Sequence, residues 1–128
     1  METVIHDPSE GIYRTEDNYV HALEVRSPSR LLFVAGTMGL DPKHVAGATI
    51  IEQLDLIWHN LRTILASANM TVDNIVRVTA YLRDASYSEA NARTRMKALE
   101  GRCVPTTAII AETLVSDWLA EIEIIAAA

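Results

Sequence analysis

The sequence has one cysteine, Cys103, and no cluster of lysine or arginine. A single cysteine excludes a disulfide within the chain. With 11 basic against 17 acidic residues, the formal net charge is −6, so the concentrated positive charge that phosphate binding requires is absent. No apolar run is long enough to span a bilayer. Neither nucleic acid nor a membrane is therefore an expected partner.

The first 17 residues are charged and lack the apolar centre of a signal peptide, which predicts a cytoplasmic protein. Hydrophobic residues make up 49% of the 128 positions, and this length is ordinary for one domain with its own core. We therefore expect a single domain over residues 1–128, without a linker.

Several well-known catalytic patterns are also missing. The chain has no glycine-rich phosphate loop and no Gly-x-Ser-x-Gly nucleophile elbow, and its four histidines are scattered along the sequence. No two histidines have the spacing of metal ligands on one helix. A metal site is not expected.

The N-terminal third predicts two strands and a loop. Residues 1–18 form a polar lead-in, and residues 19–26 and 31–35 are expected to pair as a hairpin, because Pro28 and its serine neighbours suit a turn. Residues 36–47 are predicted to be a loop, since glycines and a proline interrupt any regular pattern.

Two helices are predicted from capping signals and apolar spacing. Thr49 and Glu52 have capping-box spacing, and an apolar stripe recurs at three and four residues over the following 16 positions. Ser86 and Glu89 repeat the capping spacing, and Gly101 is placed to end the second helix. Between the helices, residues 76–84 alternate apolar and polar as a strand does.

Two more strands close the chain, and the second carries two acids. In an extended segment alternate side chains share a face, so Glu121 and Glu123 point the same way from a largely apolar strand. The element order is ββαβαββ, an α+β fold with two helices on one face of a mixed sheet. No third helix is available for the other face, and packing against a second copy is the simplest cover.

Parts of the sequence resemble the RidA (YjgF) family. The resemblance runs from about Tyr19 to Ala126 and is carried by residues 31–42, the helix containing Gln53, residues 76–84 and the closing Glu121-Ile122-Glu123. It implies a chorismate mutase-like homotrimer with ligand clefts between subunits. It also implies hydrolysis of reactive imines and enamines to ammonia and a 2-oxo acid, without a cofactor.

The resemblance assigns site residues one by one. Glu121 matches the glutamate that orients the attacking water and is the expected catalytic residue. Tyr19 matches a tyrosine early in the first strand, Gly36 matches the glycine of a Ser-Gly turn, and Asn91 matches an asparagine on the second helix. Glu123, on the same strand face, has no matching role and is expected to matter little.

The chain departs from the family after Pro105. Deaminating members read proline, a small residue and then an arginine that binds the substrate carboxylate, whereas this chain reads Pro105-Thr106-Thr107 and appears one residue shorter. Thr106 stands nearest that place and offers one hydroxyl. Losing a charged hydrogen bond of about 1.5 to 3 kcal/mol should weaken carboxylate recognition by roughly ten- to a hundredfold. Arg102 compensates if its loop turns inward, and otherwise it is a cation at a helix end.

Three functions are compatible with these observations. The first is a hydrolase or deaminase that uses Glu121 on a small imine, enamine or related electrophile. The second is a trimer that binds a metabolite between subunits without turnover, as the missing arginine would permit. The third is the ribonuclease or translation-inhibitor role of some relatives, against which the acidic balance argues.

Overall fold

The structure is a computed structural model that describes residues 1–15 and 18–128. It contains two α-helices, two short 3₁₀ turns and six strands. The elements are β1 (Glu2–His6), β2 (Ala22–Arg26), β3 (Leu31–Met38), α1 (Ile50–Ser67), β4 (Ile75–Leu82), α2 (Ser88–Ala98), β5 (Thr106–Ile110) and β6 (Ala120–Ala127).

Strands β3 to β6 form a mixed sheet in the order β3-β6-β4-β5. The closing strand β6 is antiparallel to both of its neighbours, whereas β5 is parallel to β4 and is reached through α2. This parallel connection is the βαβ unit that the alternation of elements indicated. The predicted α+β fold with two helices and a mixed sheet is confirmed.

The predicted hairpin between β2 and β3 is wrong. Strand β2 pairs instead with β1, in a separate two-stranded antiparallel ribbon, so the supposed lead-in contributes a sixth strand. Charged pairs stabilise this register: Arg26 contacts Glu2 directly opposite it, and His6 contacts Glu24 at 3.1 Å. The short distance in sequence between β2 and β3 favoured a hairpin. The charged pairs, however, lie between β1 and β2, where oppositely charged neighbours favour pairing of these two strands.

The predicted loop after residue 35 begins too early. Strand β3 continues through Gly36 to Met38, with a change of register against β6 between Val34 and Thr37. A bulge of this kind lets a strand absorb an extra residue and continue. The glycine therefore marks a bulge inside the strand.

The first helix begins as predicted, and the second does not. Thr49 Oγ1 accepts from the Glu52 backbone N–H at 3.2 Å, which caps α1. At α2, Asp84 accepts from the Ser86 N–H and caps the 3₁₀ turn that precedes the helix, so Ser86 is not the cap. Gly101, with φ of +81°, closes the end of α2 by donating to the Met96 carbonyl at 2.9 Å.

Both helices pack on one face of the sheet and form one core with it. Side chains of β4 and β6 that point to this face are almost fully buried, together with the apolar stripe of α1: Leu54, Ile57, Leu61, Leu65, Val78, Ala80, Ile122 and Ile124. The opposite face carries the polar half of the same strands. Phe33 is 72% exposed there. We call this second surface the open face.

Candidate functional site

Three polar side chains from β4 and β6 meet on the open face. Tyr81 lies beside Glu121 in the strand register, and its hydroxyl donates to Glu123 Oε1 at 2.5 Å. A depression of about 430 Å³ runs along this surface and is lined by both polar and apolar side chains, Phe33, Arg77, Thr79, Tyr81, Glu123 and Ile125 among them. The two acids predicted to share a face do so, but only Glu123 has a hydrogen bond from Tyr81.

Glu121 lies directly over Gly36. A Cβ atom added to Gly36 would come within 2.5 Å of Glu121 Oε2, so the glycine leaves the space that the carboxylate occupies. The bulge in β3 places Gly36 in this position. The structure thus brings together two residues that the sequence analysis assigned to the site for separate reasons.

The surroundings of these groups change their ionisation. Partial burial, and then the negative charge of Glu123, raise the pKa of Glu121 above its ordinary value. The bond to Glu123 is the main cause that raises the pKa of Tyr81, so the phenol stays protonated. A carboxyl group with a raised pKa takes up and releases a proton closer to neutral pH, as acid–base catalysis requires.

A second group of predicted site residues lies near β5, which forms one edge of the sheet. Tyr19, Asn91 and Thr106 all line a pocket of about 390 Å³ between α2 and β5, which we call the α2–β5 pocket. The side chain of Thr106 donates to the Val104 carbonyl at 3.0 Å. Three of the site residues taken from the resemblance therefore share one cavity.

The sequence analysis missed the charged residue of this pocket, Arg95. It lies four residues after Asn91 on α2, is 4% exposed, and donates through one terminal nitrogen to the Asn18 carbonyl at 2.9 Å. The signal was present in the sequence, because positions i and i+4 share a helical face and Asn91 had already been assigned to the site.

Arg102 does not join either group. Its guanidinium donates to the backbone carbonyls of Val72 and Ile75 at 2.7 and 2.8 Å, where it links the end of α2 to the start of β4. It is not among the residues that line the α2–β5 pocket. Within one chain these contacts hold the guanidinium against the start of β4.

The two groups cannot meet within one chain. Thr106 is level with Val78 and Ile124 on the helix-covered face, whereas Glu121, three residues before Ile124, points to the open face. With strands about 4.8 Å apart and a rise of about 3.3 Å per residue, their Cα atoms are roughly 14 Å apart. A site that uses Glu121 together with Asn91 and Thr106 needs a second copy of the chain.

Residues 1–15 and 18–128 contain no group of three or more His, Cys, Asp or Glu side chains that could hold a metal ion. None of the helices in this part of the chain combines the length and the apolar character needed to cross a bilayer.

Fold and surface together define a small α+β protein with one covered and one open sheet face, and its sequence matches a known family. The Endoribonuclease L-PSP family matches residues 12–128. A RutC family protein of Pyrococcus horikoshii is 31% identical over 101 residues, which cover 74% of this chain and 77% of that protein. The chain belongs to the Endoribonuclease L-PSP family, which is also known as the RidA or YjgF family.

Solved structures show the same fold. The Rid family protein YyfB from Yersinia pestis superposes with a TM-score of 0.86 and covers 100% of both chains at 24% identity. RidA from Psychrobacter superposes with a TM-score of 0.74, at 18% identity, over 89% of this chain and 97% of that one. The predicted family and fold are therefore confirmed.

Proposed function

We propose that this protein is a cofactor-independent hydrolase of the RidA type, which adds water to the C=N bond of a small imine or enamine tautomer and releases ammonia. The observation that carries the proposal is Glu121, a carboxyl group with a raised pKa, held over a glycine on a surface that one chain leaves open. Family membership supplies the reaction class, and the carboxyl group supplies the chemistry that this class requires.

The reaction site lies between copies of the chain. Glu121 and Gly36 contribute the catalytic half from the open face of one subunit, and Tyr19, Asn91 and Thr106 contribute the binding half from the edge of the next. The roughly 14 Å separation and the opposite sheet faces support this arrangement, since neither half is complete alone. A homotrimer, as the resemblance implies, closes a ring in which each open face meets a neighbouring edge.

Glu121 acts on the water molecule. Its carboxylate accepts a proton from water as the water oxygen forms a bond to the imine carbon, and the protonated carboxyl returns that proton to the nitrogen to give a carbinolamine. The carbinolamine hydroxyl then passes its proton through the same carboxylate to the nitrogen, as the C–N bond breaks, the carbonyl forms and ammonia leaves. A carboxyl group whose pKa lies close to the working pH performs both steps better than one that remains fully ionised. Burial of Glu121 moves its pKa in this direction.

Ammonia release from a panel of imines generated from amino acids tests the proposal, with Glu121→Gln as the main variant. Glutamine keeps the shape and hydrogen-bonding capacity of the side chain but cannot accept the proton. We expect at least a hundredfold loss of turnover, in the range found for removing one acid–base catalyst.

Glu123→Gln is the matched control. It removes a charge from the same strand face, two residues away, and the amide oxygen still accepts from Tyr81. We expect turnover within a few-fold of wild type. Equal losses in the two variants would contradict the assignment of Glu121, and binding of the imine's carbonyl product without any turnover would favour the metabolite-binding function instead.

A further inference from the structure

The α2–β5 pocket is built on two polar side chains buried inside the protein. Asn91 is 2% exposed and Arg95 is 4% exposed, and both line the pocket. They are one helical turn apart on α2, at positions that face the sheet together with Ala98. Most helices fill such positions with apolar side chains, so an amide and a guanidinium here require an explanation.

Neither side chain has all of its hydrogen bonds. Asn91 Oδ1 and Arg95 Nε are both buried, and neither has a partner. Buried polar groups are normally paired, because a lost partner leaves the cost of removing the group from water uncompensated. Arg95 Nε needs an acceptor and Asn91 Oδ1 needs a donor, so these atoms on adjacent turns of one cavity wall indicate a pocket that is completed by a ligand offering both.

Cys103 lies near Arg95, but no Asp or Glu side chain among residues 1–15 and 18–128 forms an ion pair with this arginine. The ion pairs found in the described part of the chain all lie in the β1–β2 ribbon, among His6, Glu2, Glu24 and Arg26. Burial lowers the pKa of Arg95 but an arginine remains protonated at neutral pH. An anion in the pocket would form an ion pair with this guanidinium.

A purely structural role explains less of this arrangement. Arg95 donates to the Asn18 carbonyl, which uses one of its five N–H donors for a neutral acceptor. Arg102 is the relevant comparison. It also has a buried Nε without a partner, but it donates to two carbonyls and is not part of the α2–β5 pocket. Only Arg95 combines burial, an incomplete set of bonds and a position on the cavity wall.

We propose that Arg95 binds the carboxylate of the ligand, and so takes over from helix α2 the role of the arginine that is missing after Pro105. The inference rests on the proposed function for its choice of ligand, a small 2-imino or 2-oxo acid. Arg95 donates to the Asn18 carbonyl through one terminal nitrogen, and its Nε has no partner, so the guanidinium has capacity to donate to a carboxylate. A volume of about 390 Å³ is ample for such a molecule.

This reverses one expectation from the sequence. Thr106 in place of an arginine predicted weak recognition of acidic substrates, because the nearest side chain offered one hydroxyl. Arg95 and Thr106 line the same pocket. The positive charge of Arg95 on α2, in the same pocket as Thr106, attracts a carboxylate although β5 carries no basic residue.

Calorimetric titration with pyruvate and with its neutral isostere pyruvamide tests the proposal. The wild-type protein should bind pyruvate at least tenfold more tightly than pyruvamide. Arg95→Met should weaken pyruvate binding by roughly ten- to a hundredfold, the equivalent of one charged hydrogen bond, and leave pyruvamide binding within a few-fold of wild type. Arg95→Lys should retain part of the preference, because it keeps the charge.

Arg93→Met is the matched control, since Arg93 lies on the same helix but is exposed. It removes an identical charge two residues away and should not change either affinity. Thermal melting verifies that each variant is folded. If the Met variant does not fold, Arg95→Gln provides the same test, because its amide can still donate to the Asn18 carbonyl.

The proposal is overturned if wild type shows no preference for pyruvate, or if a folded Arg95 variant binds pyruvate as wild type does. The readout is independent of the proposed reaction. Arg95-dependent pyruvate binding without imine turnover would leave this inference standing and remove the hydrolase. Turnover of acidic imines that does not depend on Arg95 would remove this inference and leave the hydrolase standing.

Discussion

The two faces of the four-stranded sheet are made by alternate residues of the same strands, yet they do different work. On the helix-covered face, Ile122 and Ile124 of β6 are 0% and 2% exposed. On the open face, Glu121 and Glu123 alternate with them along the strand. One chain completes a core on the first face only.

This difference separates stability from function. Apolar side chains on the covered face exclude water and hold the fold, whereas the open face keeps acids and an exposed aromatic that contribute little to the folding of one chain. Groups that cost stability in this way are typical of binding and catalytic surfaces. The comparison predicts that equal substitutions on the two faces have unequal effects.

The largest expected effect comes from truncating neighbouring isoleucines on opposite faces. Ile124→Ala leaves a cavity in the core and should lower the free energy of unfolding by about 2 to 5 kcal/mol. Ile125→Ala, which lines the open-face depression, should cost about 1 kcal/mol. Urea unfolding at several protein concentrations measures both changes. Equal losses at the lowest concentration would mean that Ile125 is buried within a single chain, as Ile124 is.

A charge placed on the open face should prevent assembly. Phe33→Lys changes a side chain that is 72% exposed on this surface, and we expect a folded monomer in sedimentation in place of the trimer proposed for the wild type. Leu114→Lys is the matched control, since Leu114 is 94% exposed outside the sheet. A trimer that tolerates Phe33→Lys but not Leu114→Lys would place the interface elsewhere.

Alanine at two glycines three residues apart should separate folding from activity. At Gly39 the new Cβ would lie 2.5 Å from the Gln53 backbone oxygen, and because a helix backbone cannot yield, we expect about 1 to 3 kcal/mol of destabilisation. At Gly36 it meets only the flexible end of Glu121. Gly36→Ala should therefore melt close to wild type but lose turnover, and a large drop in its melting temperature would contradict the arrangement of Gly36 and Glu121.

The smallest expected effect is a pH dependence of stability from Glu121. Its folded-state pKa is raised above the ordinary value of 4.5, so its contribution is fully present below that value and is lost as pH rises through the raised pKa. Glu121→Gln cannot ionise and should gain stability relative to wild type as pH rises above about 4.5, by less than about 1 kcal/mol because the group is partly solvated. Thermal melts of both proteins across this range measure the gain, and a gain that grows as pH falls would have the wrong sign.

Local signals in the sequence predicted much of this architecture. The apolar stripe of α1 and its Thr49 cap, and the alternation along β4 and β6, are consequences of fixed helical and strand periods, and the structure confirms them. The β1–β2 ribbon was missed because its pairing depends on contacts between segments about 20 residues apart. Arg95 was missed because a basic residue on a helix is usually solvated, and only the packed structure shows that this one is buried.

The sequence by itself determined the family, the element order from β2 onward and the face of the strand on which each acid lies, because these depend on short-range periods and on matching residues. It did not determine which candidate residues share a cavity. Tertiary structure alone decided that Gly36 lies under Glu121, that Arg95 joins Asn91 and Thr106, and that Arg102 is used elsewhere. The physical reason is that the helical or strand period fixes the direction in which a side chain points. The distance between two segments that are far apart in sequence is fixed only when the segments pack together.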